Sequence, residues 1–161
     1  GSTRSYEFAK RLIENGHTVY MITSNWQKKS KKKFTNENGI NVFWAPLKYS
    51  NKMGFFKRII TFIKFIYFTL RIGFKLDFDI VFASSTPLTV GIPAIIFKKI
   101  RNVKLIFEVR DLWPQIPISI GIIRSKILIK LLLFLEKYIY LNSDKIIALS
   151  SGIKLEIEKN F

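Results

Sequence analysis

The sequence of 161 residues contains no cysteine and a single histidine, His17. Without cysteine, neither a disulfide framework nor a thiolate zinc site is available. One histidine is also too few for a histidine-rich metal site. The pattern predicts that His17 caps or packs at a helix end, since it follows Asn15 and Gly16, which are typical of a helix stop.

Long apolar runs are missing as well. No uncharged apolar stretch reaches the roughly 18 residues that a membrane-spanning helix needs, and the first residues lack the apolar region of a secretory signal. Hydrophobic residues nevertheless make up 48% of the sequence, and no long polar tract occurs. This composition predicts a folded chain with a real core.

Acidic residues are scarce: 11 Asp and Glu face 27 Lys and Arg, for a net charge of +16. Such a surface attracts lipid headgroups, nucleic acid or phosphorylated substrates, although AT-rich coding also enriches lysine. The lysine cluster at residues 28–33 has few aromatic neighbours, with Trp26 before it and Phe34 after it. Nucleic-acid binding is not favoured, because no recognisable nucleic-acid motif accompanies the cluster.

Five apolar, β-branched runs alternate with helical patterns along the chain. Nearly uniform apolar strands separated by helices predict an α/β fold with a doubly wound, Rossmann-like parallel sheet, here as one domain over residues 1–161. A helix comes first, where such a domain normally begins with a strand, so the first strand is expected to be missing. The predicted strands are residues 18–23, 40–45, 79–83, 103–108 and 145–148, with a loop over 24–39.

Charged residues stand at the carboxyl end of the fourth predicted strand, in the sequence FEVRDLWP at residues 107–114. Ligands of open α/β sheets bind at that edge. Glu108, Arg110 and Asp111 are therefore candidate catalytic residues beside Trp113, and Asp111 could act as a general base or orient an acceptor hydroxyl. Alternatively, an ion pair among these residues merely holds the loop.

Hydroxyl residues follow two other strands at the same edge. Ser84, Ser85 and Thr86 precede Pro87 at the start of a helix, and Ser150 precedes the last helix. Amides at a helix N-terminus bind phosphate or carboxylate, which predicts a substrate-binding role. The alternative is that these side chains are ordinary N-caps.

The helix predicted over residues 54–75 has an unusual surface. One stripe steps by four and three residues and carries four cations, Lys57, Lys64, Arg71 and Lys75. The apolar arc beside it is wider than one buried face needs, and the surplus could lie in a bilayer interface with the cations near phosphates. The alternative is a helix wedged inside the protein that exposes only the stripe. An apolar segment at residues 116–123 adds weight to membrane contact.

These segments resemble a known family. GSTR at residues 1–4, with FAKRL at 8–12 and NGHTV at 15–19, resembles the opening of a GT-B glycosyltransferase. SSTPLTV at 84–90, FEVRDLWP at 107–114 and IIALS at 146–150 are similar to a subgroup of glycosyltransferase family four. That subgroup makes bacterial surface polysaccharides and includes transferases of N-acetylated deoxyhexosamines.

The resemblance implies a retaining transfer from a nucleotide sugar without a required metal. The acceptor would be a lipid-linked saccharide at the inner membrane face, which makes the protein cytoplasmic and peripheral to an anionic membrane surface. Gly1, Ser2 and Arg4 match the loop near the donor phosphates. Arg110 stands where many relatives have a histidine of the catalytic cleft, and Asp111 where an acidic residue often follows.

The resemblance also has gaps. The first strand, the glycine before Gly1 and the whole C-terminal donor domain of the family are absent from the sequence, so these residues alone are expected to be inactive. Two other classes stay open: a non-catalytic basic module that binds nucleic acid, and an assembly subunit that pairs with a separate donor-binding chain.

Overall fold

The computed structural model describes residues 3–24, 33–47, 50, 53–85 and 87–161. The chain divides into two compact units, residues 1–72 and 73–161. Each unit contains a three-stranded sheet with its own helices. The α/β prediction is confirmed, whereas the membership of both sheets in one doubly wound domain stays a prediction.

The first unit begins with α1 (Thr3–Glu14), which ends as the sequence predicts. Gly16 has φ of +84°, its N–H donates to Ile13 at 2.9 Å, and the His17 N–H donates to Leu12 at 3.0 Å. This pair of bonds is a Schellman motif, which satisfies carbonyl groups at the helix end. His17 therefore closes α1 through its backbone, and its side chain is exposed.

The first sheet holds β1 (Tyr20–Ser24), β2 (Phe34–Glu37) and β3 (Ile40–Ala45), in the order β1-β3-β2. β1 and β3 are parallel, as predicted. The prediction of a loop is wrong for β2, which pairs antiparallel with β3. A two-residue turn joins them, with positive φ at Asn38 and Gly39, the geometry that hairpins favour.

A short buried cluster supports this sheet. Ala9 of α1 packs with Ile40 and Val42 of β3. α2 (Phe55–Gly73) then runs to the boundary between the units. Among the described residues, no helix is long and apolar enough to cross a membrane.

The second unit has a wholly parallel sheet in the order β4-β5-β6. Its strands are β4 (Ile80–Ser84), β5 (Lys104–Val109) and β6 (Lys145–Ala148). A 3-10 turn (Leu88–Val90) and α3 (Gly91–Arg101) connect β4 to β5. α4 (Gln115–Ser119) and α5 (Lys126–Asn142) connect β5 to β6, and α6 (Ser151–Asn160) follows.

The core of the second unit centres on β5. Phe107 and Leu105 are fully buried, with Leu88, Ile95 and Ile139 packed around them. Because both neighbours of β5 run in the same direction, the carboxyl ends of all three strands lie at one edge. The residues after these strands form the candidate site.

Candidate functional site at the carboxyl edge of the second sheet

Glu108 is held at the end of β5 by β4. Ser84 lies opposite Glu108 in the parallel register, and the Ser84 Oγ donates a hydrogen bond of 2.5 Å to Oε2 of Glu108. Glu108 is only 3% exposed. A buried carboxylate is costly unless donors satisfy it, so this bond fixes the Glu108 side chain and joins the two strand ends.

Ser85 continues the connection one residue further. Its N–H donates to the Glu108 carbonyl at 2.8 Å, and its buried Oγ accepts from the Arg110 N–H at 3.0 Å. The N-cap of the 3-10 turn is Pro87. The capping alternative is therefore wrong for Ser84 and Ser85, because their hydroxyl groups bond to β5 and the residue after it. Thr86 lies outside the described residues.

The predicted catalytic residues form a turn with a firm base. Arg110 is half-buried and Asp111 is exposed. The Asp111 carbonyl accepts from the Trp113 N–H at 2.9 Å. Trp113 packs against the core, and Pro114, joined to it by a cis peptide, is buried. The turn thus places the Asp111 side chain at the surface of the carboxyl edge, on a backbone anchored at both ends.

Sequence reasoning missed a buried polar cluster behind this turn. Glu136 of α5 is 1% exposed, and Gln115 Nε2 donates to its two oxygens at 3.1 and 2.9 Å. The Tyr140 hydroxyl donates to Oε1 at 3.2 Å. These bonds tie the first residue of α4 to α5. The available signal was a lone acidic residue in an otherwise apolar and basic helix, with a tyrosine four positions later.

Burial is the main cause of the shifted pKa values in this cluster. It raises the pKa of Glu136 above the ordinary value, and the bonds from Gln115 and Tyr140 oppose the rise only in part. Burial, with Glu136 close by, also raises the pKa of Tyr140. Gln115 Oε1 is a buried acceptor with no partner among the described residues.

Ser150 comes to the same edge through its neighbour, since the Leu149 N–H donates to the Val109 carbonyl at 3.3 Å. Its hydroxyl accepts from the Ile153 N–H at 3.2 Å and caps α6. The capping alternative is confirmed for Ser150, and its role in substrate binding stays a prediction.

Other predicted residues lie elsewhere. Arg4 is exposed on α1 of the first unit, and Gly1 and Ser2 lie outside the described residues, as does the lysine cluster apart from Lys33. The described part of the chain brings no three histidine or acidic side chains together as a metal site. The predictions for donor contacts and for metal-independent transfer stay predictions.

The cationic stripe of α2 is exposed as predicted: Lys57, Lys64 and Arg71 all reach solvent, and so does Lys75 just after the helix. A second, apolar row lies beside it and is also exposed, at Phe56, Ile60, Ile63 and Tyr67. The alternative that α2 exposes only its cationic stripe is therefore wrong. α2 presents charge and apolar surface side by side.

Comparison with known proteins places these features in a family. The model of glycosyltransferase family 4 matches residues 1–161. A sucrose-phosphate synthase from Thermosynechococcus elongatus has a similar structure, with a TM-score of 0.72 at 16% sequence identity. The match covers 99% of this chain and 40% of that one, so the chain spans about two-fifths of that enzyme's length. No curated protein sequence matches the chain.

Proposed function

The chain belongs to glycosyltransferase family 4, and we propose that it is the acceptor-side half of a retaining glycosyltransferase. The enzyme moves a sugar from a nucleotide sugar to a lipid-linked saccharide in surface-polysaccharide synthesis. An N-acetylated deoxyhexosamine is the proposed sugar. The donor domain is either a further part of the same protein or a separate chain.

One observation carries the proposal: the hydrogen bonds from Ser84 to Glu108 and from Arg110 to Ser85 hold the base of the turn that presents Asp111. A carboxylate on a rigid turn can orient an attacking hydroxyl, which a flexible loop does poorly. Since Asp111 is exposed, an acceptor can reach it without rearrangement of the core.

In the proposed reaction, a bond forms between the acceptor oxygen and the anomeric carbon as the bond from that carbon to the donor phosphate breaks. The electron pair of the broken bond leaves with the nucleotide diphosphate. The acceptor proton passes to the Asp111 carboxylate or to the departing phosphate oxygen. Arg110 is proposed to stabilise the charge that develops on that phosphate, while Glu108 positions Ser84 and the strand ends.

The remaining site residues are proposed to bind substrates. Gly1, Ser2 and Arg4 are assigned to the donor phosphates. Thr86 and Ser150 are assigned to a substrate phosphate or carboxylate, and Trp113 to a sugar ring. No metal is assigned to the reaction, which follows the metal-independent transfer that the family resemblance implies.

The acceptor lipid is proposed to meet α2 at the cytoplasmic face of the membrane. Its exposed cations, Lys57, Lys64 and Arg71, suit lipid phosphates, and the exposed apolar row beside them suits the acyl boundary. Lys75 extends the cationic stripe. The chain is therefore proposed to lie at the membrane surface as a peripheral protein.

The test uses the protein at its natural length, with radiolabelled nucleotide sugars and lipid extract from its own cells as acceptor. Label transferred to lipid supports the proposal, and a product with inverted anomeric configuration contradicts the retaining reaction. No transfer with any donor, combined with salt-sensitive DNA binding, would favour the basic module. Co-purification of a donor-binding chain that restores transfer would favour the assembly subunit.

A further inference from the structure

α5 exposes a stripe of large apolar side chains that the proposed reaction does not use. Its members recur at steps of four, three, four and three residues, so they share one helix face. Ile127, Phe134 and Leu141 are 74%, 67% and 63% exposed. The complete stripe consists of Ile127, Leu131, Phe134, Tyr138 and Leu141.

This stripe is not the face by which α5 packs in the protein. Glu136, Ile139 and Tyr140 are buried on the opposite side, where Ile139 and Tyr140 belong to the core around β5. The helix has therefore met its packing requirement already. A soluble protein seldom exposes a second contiguous apolar face unless that face binds something.

A row of lysines flanks the stripe. Lys126, Lys130 and Lys137 each precede a stripe residue by one position, which places them along one side of it, and all three are exposed. The only acidic residue of α5 is Glu136, which lies on the buried face. The exposed surface of α5 is thus apolar and positive, with no acidic side chain.

Two rings give the stripe a fixed centre. Phe134 and Tyr138 stack at 6.0 Å with 16° between their planes. The ammonium group of Lys99 lies 4.9 Å from the Tyr138 ring centroid and bonds to its hydroxyl group. Beyond Tyr138 the apolar surface continues into a groove between α3 and α5, lined by Ile92, Ile96, Ile100 and Leu135.

We propose that this face of α5 lies in the headgroup region of a membrane rich in anionic lipid. The apolar stripe enters the acyl boundary, and the lysine row meets lipid phosphates or carboxylates. Aromatic rings with a polar end are well suited to that depth. The positive charge of this face favours anionic lipid as its binding partner, because lipid headgroups neutralise the three aligned lysines. A second copy of the same face would instead add more lysines and repel the first.

This inference is independent of the transfer reaction and of α2. It is tested with a fluorescent reporter on the natural-length protein, in which residues 1–161 contain no cysteine and any cysteine outside them is replaced by serine. Phe134→Cys takes an environment-sensitive dye, and Leu155→Cys on α6 is the control, because Leu155 is also apolar and 66% exposed. With phosphatidylglycerol vesicles the dye at position 134 should brighten and shift to the blue, while the dye at 155 should not. Equal responses, or none at 134, overturn the proposal.

Vesicle co-sedimentation then tests stripe and lysines separately. Leu131→Ser with Phe134→Ser, and the triple change of Lys126, Lys130 and Lys137 to Gln, should each lower binding to phosphatidylglycerol vesicles about tenfold. Leu155→Ser and Lys159→Gln should not. Unchanged binding overturns the proposal, as does equal binding to neutral phosphatidylcholine.

Two further experiments distinguish membrane binding by α5 from membrane binding by α2 and from contact between two copies of the chain. Gln replacements of Lys57, Lys64 and Arg71 report on α2 alone, so a loss confined to that variant assigns membrane binding to α2 and overturns the role of α5. Light scattering without vesicles measures oligomeric state. A dimer that Leu131→Ser and Phe134→Ser dissociate, with vesicle binding intact, makes the face a contact between copies and also overturns the proposal.

Discussion

Ser84 and Glu108 face each other at the ends of two parallel strands, joined by a hydrogen bond of 2.5 Å from the serine hydroxyl to the buried carboxylate. The bond lies at the base of the turn that carries Arg110 and Asp111. The chemistry proposed for Asp111 depends on this rigid base, so disturbance of the pair should affect both stability and turnover.

Removal of the hydroxyl tests that pair. Ser84→Ala leaves Glu108 buried with one donor fewer and should lower the free energy of unfolding by about 1–3 kcal/mol. Urea denaturation measures the change. Ser119→Ala is the control, since the exposed Ser119 hydroxyl donates to the Ile116 carbonyl of its own short helix. Equal midpoints for Ser84→Ala and the wild type would show that the bond contributes no stability.

Glu136 should make the fold less stable as the pH rises. Burial raises its pKa above 4.5 in the folded state, so the folded protein binds more protons than the unfolded chain between 4.5 and the folded pKa. Stability must fall across that window. Glu136→Gln should remove this dependence, because an amide stays neutral across the whole range. Urea midpoints from pH 4.5 to 8 measure it, and parallel curves for variant and wild type would refute it.

Asp144 should make the fold less stable as the pH falls, in a pH range below that of Glu136. It accepts from the Leu105 N–H at 2.8 Å and pairs with Lys98 at 2.8 Å, which lowers its pKa to about 2. Its stabilising effect is complete above the ordinary value of 3.8 and is lost as the pH falls toward 2. Asp144→Asn should therefore be destabilised at pH 7 and approach the wild type in acid. A difference between the two proteins that is constant from pH 7 to 2 would contradict this assignment.

Gly91 should be intolerant of a side chain. A Cβ there would lie 2.5 Å from the end of Ile139, which is fully buried. Gly91→Ala should cost about 1–3 kcal/mol by overpacking. Gly152→Ala is the matched control, because its Cβ would meet nothing closer than 3.9 Å, and helix propensity favours alanine there. Thermal unfolding compares the two variants, and similar melting temperatures would contradict the close contact.

The sequence predicted best those strands that are apolar runs between clear turn signals. β3 and β6 have the predicted bounds, residues 40–45 and 145–148. The sequence did not predict β2, because this strand has only four residues, FTNE, and half of them are polar. Its pairing is set by the hairpin turn at Asn38 and Gly39. Local pattern carries little information about such a strand.

The site shows the same limit. Strand alternation was enough to bring Ser84, Ser85, Glu108 and Arg110 to one edge, as their hydrogen bonds confirm. It could not tell a helix cap from a bond between strands, since both uses suit a serine after a strand. The cluster of Glu136, Gln115 and Tyr140 depends on how α4 and α5 pack, a tertiary relationship that spacing along the chain does not encode.

The most direct measurement is sugar transfer by the natural-length enzyme carrying Asp111→Asn, with Asp79→Asn as control, because Asp79 is also exposed and lies before β4. Loss of the carboxylate should lower kcat by about tenfold or more, with an unchanged urea midpoint, while Asp79→Asn should match the wild type. Full turnover by Asp111→Asn would contradict the role given to the anchored turn.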